Sequence, residues 1–301
     1  VSKAWHLRAL LYIVCLLNFL YFLYAPVTDA QVQPPSVYAI THAKIFTLAG
    51  SPIEDGTLVI RDGKITAVGA SVEVPAGAQV IDGKGLQVYP GLFDAITQMG
   101  LSEIGAVSAT VDTTETGNYN PDVVAATAIS PSSEHIPVTR ASGITEVLAV
   151  PGSGGFDSGG GRGTLGGQAS AIHMAGWTVD EMLIKKSAAM VLNFPEIQTQ
   201  TFDFSTFTRK EKPYTEAKQE YDRQINELTD WMDRARHYAQ AMEKGSVSKY
   251  DRDLKLEALA PVVRGELPVL VFADHARDIR NAVEFCDKQK LKMVLAGGEE
   301  A

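Results

Sequence analysis

Cysteine is almost missing from this chain. There are 2 in 301 residues, Cys15 and Cys286. Cys15 falls in the apolar N-terminal stretch, so Cys286 is left without an internal disulfide partner, and stability has to come from packing. Its plainest reading is a small apolar residue on the inner face of a helix rather than a nucleophile. Basic charge is also short, with 27 Lys and Arg against 36 Asp and Glu and a net charge of -9. That balance argues against nucleic acid and against anionic lipid, both of which need clustered cations. Neutral or cationic small molecules remain as ligands. The chain has no Gly-x-Ser-x-Gly elbow, no His-Glu-x-x-His pair and no repeated Cys pairs, so serine-hydrolase, zincin and zinc-ribbon chemistries find no support.

The composition that is present, 45% hydrophobic and 21% charged, suits one large domain, or a small one plus a large one, with a sizeable core. Residues 1–30 have a basic start (Lys3, Arg8), an apolar run from Ala9 to Tyr24 broken by Asn18, and Ala25-Pro26-Val27-Thr28-Asp29-Ala30. This is a secretory signal pattern with cleavage after Ala30, placing the protein in the periplasm or outside the cell. An uncleaved membrane anchor is the alternative, although the run falls short of the roughly 18 residues of a spanning helix.

Beyond residue 30 the pattern begins as short β-branched runs. Asp62-Gly63 between two of them signals a tight hairpin. It then alternates strand and helix, which predicts a parallel sheet. Six strands are expected: Gln87–Asp94, Thr145–Val150 (entered from Gly143, a helix C-cap), Ala169–Met174, Ala188–Asn193, Leu267–Phe272 and Lys292–Leu295, with a helix over about Ala276–Gln289. Tyr214, Ala217, Tyr221, Ile225, Leu228, Met232, Ala235, Ala239 and Met242 step by three or four. They predict a long amphipathic helix that covers the sheet or, alternatively, forms a coiled-coil seam, a cap or a partner-binding arm.

Four segments carry a resemblance. Val88-Tyr89-Pro90-Gly91-Leu92-Phe93-Asp94-Ala95-Ile96-Thr97-Gln98 is preceded by Glu54-Asp55-Gly56-Thr57-Leu58-Val59-Ile60-Arg61-Asp62-Gly63-Lys64-Ile65. It is followed by Gly166-Gly167-Gln168 and Gly176-Trp177-Thr178-Val179-Asp180-Glu181-Met182. In this order they resemble the amidohydrolase superfamily, on its imidazolonepropionase-like branch. The resemblance implies an α/β fold: an incomplete TIM-like (β/α) barrel over 87–301, with a helical insertion around 205–260, preceded by a small β-sandwich over 31–86. A full barrel has eight strands over about 250 residues. With six, the chain is read as a fragment or as a shortened member, and the corresponding expectation is self-association or a partner covering the open sheet edges.

The family's barrel holds a zinc-type divalent metal on histidines. Here the four matching positions are Ile96, Gln98, Phe272 and Gly297. No metal ligand set is expected from them, since Ile, Phe and Gly have no donor side-chain atom and a Gln carbonyl is a poor zinc partner. The catalytic residues are left unassigned, with Gln98, Gln168, His173 and His275 as candidate pocket residues. His135 is placed in a loop beside Pro137, while His42 and His237 read as structural. The glycine-rich stretch Gly152–Gly167 contains a Gly-x-Gly-x-x-Gly spacing at Gly161, Gly163 and Gly166, but it leads into a strand and lacks the helix of a dinucleotide fingerprint. It reads as a loop over the ligand-binding end of a barrel. Two functions follow: hydrolysis of a non-peptide, cyclic amide-like C-N bond, or a metal-free binding or scaffold relative that keeps a small-molecule pocket without the chemistry.

Overall fold

The computed structural model describes residues 37–152, 163–203 and 208–301; the signal peptide expected over 1–30 lies outside them. Contacts divide the chain into two units, 1–90 and 91–301.

In the first unit β1 (Val37–Ile45), β2 (Ile53–Arg61) and β3 (Lys64–Gly69) pair antiparallel in sequence order, while β4 (Gln79–Asp82) and β5 (Gln87–Val88) pair parallel with β1. The β2–β3 turn has positive φ at both Asp62 (51°) and Gly63 (73°). That conformation matches the twist of a hairpin and suits an Asp-Gly pair. A bulge at His42 (φ 56°) shifts the register between Ile40 and Ala43. One extra residue reverses the facing of a strand, so Val37 and Ala39 pack with Val59 in one cluster while Ala43 and Ile45 pack with Leu58 in another. Among the described residues these five strands form one sheet, in the place where the small β-sandwich was expected.

The second unit holds the six expected strands in one curled sheet, ordered β13-β12-β9-β8-β7-β6. They are β6 (Leu92–Thr97), β7 (Ile144–Ala149), β8 (Leu165–His173), β9 (Leu183–Asn193), β12 (Val269–Ala273) and β13 (Met293–Gly297). The sheet is a half-barrel of the TIM-like kind. Two expectations are corrected. The run Gln87–Asp94 is broken at Pro90, which has no N–H to give a ladder. Its start pairs with β1 and its continuation, β6, with β7. The sheet is also not wholly parallel, because β8 runs antiparallel to both β7 and β9. The link from β8 to β9 is only Met174 to Met182, including the one-turn helix α2 (Val179–Met182). A parallel crossover needs a dozen residues or more, so the chain turns back on itself.

Alternate residues of the sheet pack to opposite sides. Met190 and Leu192 of β9 and Val269, Val271 and Ala273 of β12 join a cluster with three helices: α3 (Tyr214–Glu243), α4 (Leu254–Val263) and α5 (Ala276–Gln289). Leu228, Met232, Ala235 and Tyr238 form the α3 contribution, so the amphipathic stripe is buried on the sheet and on α4. Ala169, Ala189, Val191, Leu270 and Ala296 form the opposite cluster, with Phe272 packed against it. Strands buried on both faces read as continuous apolar runs, as these do. A short hairpin, β10 (Gln200–Asp203) with β11 (Thr208–Glu211), precedes α3. His135 does not sit in a loop but opens α1 (His135–Ala141), and Gly143 follows that helix with φ 91°. Gly166 and Gly167 belong to β8, while residues 153–162 of the glycine-rich stretch lie outside the described residues. Among the described residues no helix is long and apolar enough to cross a membrane.

Candidate functional site

The C-terminal ends of β9 and β12 deliver Asn193, Phe272, Ala273 and Asp274 to the rim of a cavity of about 480 Å³. Strand ends of this kind are where barrel proteins place their ligands. The outer wall is α3, through Ala217, Glu220 and Gln224, and Asp278 of α5 and Thr164 also line it.

Several of the polar groups here have identifiable partners. The Asn193 amide nitrogen donates to the carbonyls of Gly152 (3.0 Å) and Gly163 (2.8 Å), pinning both ends of the glycine-rich segment. Its Oδ1 is buried and has no hydrogen-bond partner among the described residues. The hydroxyl of Tyr119, a residue 7% exposed, is buried beside Thr164 without a partner of good geometry. Burial, and then the negative charge of Glu227, push that phenol up to about 12. Tyr119 stacks on Trp231 of α3 at 5.3 Å. Asp278 is 3% exposed and accepts from Arg277 at 2.9 and 3.3 Å. Glu220 pairs with Lys212, whose hydrogen bond holds the carboxyl below its ordinary value and raises the ammonium.

Around α5 the ends of β12 and β13 are stitched together. Gly298 N–H donates to Asp274 Oδ1 at 3.2 Å, and Glu300 accepts from Ala276 N–H at 2.9 Å. His275 Nδ1 lies 3.2 Å from Glu300 Oε1, an interaction that raises the imidazole; Glu300 is lowered, first by the Ala276 N–H and then by His275.

The residues singled out in the sequence are not gathered in one place. His275 immediately precedes α5 and faces Glu300, and it is not among the residues that line the cavity. Gln168 is buried inside β8 and donates to the Pro121 carbonyl at 2.8 Å. His173 ends β8, and because that strand is reversed it pairs with Glu146 (3.3 Å) near the start of β7, at the other end of the sheet. Gln98 follows β6, on the edge strand, where its carbonyl accepts from Leu101 and Ser102. Asn193 and Asp274 each end an apolar run, a signal readable in the sequence; nothing in the sequence marks Tyr119.

The donor set of the four metal positions does not fit zinc. Phe272 and Gly297 lie on adjacent strands and Ile96 on the far edge of the sheet, and none has a donor side-chain atom. Gly297 goes further. It has φ 80°, and a Cβ there would fall 2.1 Å from Asp274 Oδ1. A histidine at this position would have to displace Asp274 and hold a left-handed backbone. Among the described residues no group of three or more His, Cys, Asp or Glu side chains is arranged to hold a metal ion.

No protein-family model matches the chain. It is similar to the amidohydrolase tasK of Hapsidospora irregularis, with 25% identity over 251 residues, covering 76% of this chain and 24% of that protein. It is also similar to the imidazolonepropionase of Ralstonia nicotianae, with 39% identity over 67 residues, covering 20% of this chain and 16% of that protein. The chain thus spans about a quarter or less of the length of these curated relatives. Among solved structures, an amidohydrolase from Thermotoga maritima matches with a TM-score of 0.68 and 23% identity, covering 86% of this chain and 63% of that one. With the order of its motifs and its half-barrel fold, these matches make the chain a distant relative within the amidohydrolase superfamily.

Proposed function

We propose that this chain is a metal-free, small-molecule-binding unit of an exported amidohydrolase-type protein, with its ligand at the C-terminal ends of β9 and β12. The observation that carries this reading is Gly297, whose backbone and closeness to Asp274 leave no room for the family's histidine. A cavity remains beside it, within the range of about 300–1,000 Å³ typical of ligand pockets. A second reading, hydrolysis of a non-peptide C-N bond in a cyclic amide-like substrate, is favoured by the names of the matched relatives, amidohydrolase and imidazolonepropionase. It requires metal ligands other than residues 96, 98, 272 and 297.

Elemental analysis of protein grown with zinc, iron and manganese, together with a hydantoin hydrolysis assay, separates the two. Substoichiometric metal and no turnover are expected. Near-stoichiometric metal with turnover would establish the hydrolase and overturn the binding unit.

A further inference from the structure

We draw no further inference here: the strongest candidate, the apolar surface on the two edge strands of the second sheet, where β6 exposes Leu92, Phe93 and Ile96 and β13 exposes Val294 and Leu295, is unpartnered among the described residues, and nothing in the structure shows what covers it.

Discussion

Gly91 lies so close to Thr145 that a Cβ built on the glycine would stand 1.9 Å from Thr145 Oγ1 and 2.6 Å from its Cγ2. The contact occurs where β6 and β7 begin their parallel pairing, at Leu92 and Ile144. Gly91→Ala should therefore destabilise the second unit by about 1–3 kcal/mol, the usual cost of overpacking. Thr145→Gly in the same chain should recover most of the loss. Urea unfolding measures both, and an unchanged midpoint in the single variant would show that the strands do not approach this closely.

Cys286 is 1% exposed in the cluster beneath α5, and burial, followed by the charge of Asp287, pushes its thiol up to about 11. At pH 8 the reactive thiolate is therefore scarce and shielded. An aromatic disulfide reagent should label the native protein only as fast as it opens, and label it at once in urea. Rapid, stoichiometric labelling of the native protein would mean that α5 is not seated on the sheet.

His275 and Glu300 make a pH-dependent link. The folded imidazole titrates above its ordinary 6.5 and the folded carboxyl below its ordinary 4.5. The imidazole's contribution is complete below pH 6.5 and is lost as pH rises through its raised folded value. The carboxyl's contribution is complete above pH 4.5 and is lost as pH falls through its lowered value. The link is thus strongest between these ordinary values. An NMR titration should place His275 above 6.5, and Glu300→Gln should bring it down. The same midpoint in both proteins would show that the two side chains do not meet in solution.

The sequence shows the six strands of the second sheet, the Asp62-Gly63 turn and the limits of α5, because apolar period, turn chemistry and caps act locally. The direction of β8 is not readable from the run Ala169–Met174, since an apolar strand buried on both faces looks the same either way. It is set by the length of the link to β9. The unsuitability of the metal positions follows from residue type alone at Ile96 and Phe272. The reason at Gly297 is spatial, since Asp274 occupies the room. The part of the pocket furthest from the sequence is Asn193, whose amide nitrogen is committed to the carbonyls of Gly152 and Gly163, contacts that only the fold brings together.

The reversed β8 also bears on how the sheet is assembled. It meets β9 across the short link Met174 to Met182, whereas β6 with β7 and β9 with β12 must each close a much longer stretch of chain. Local hairpins form in about 1–10 μs, and distant pairings bear the loop-closure entropy first. The hairpin is therefore expected to form early and to offer a ready edge on each side, so that the sheet grows outward from its middle rather than from one end. Pulse-labelled hydrogen exchange should find amides of β8 and β9 protected before those of β12 and β13; the opposite order would place the nucleus under the helices instead.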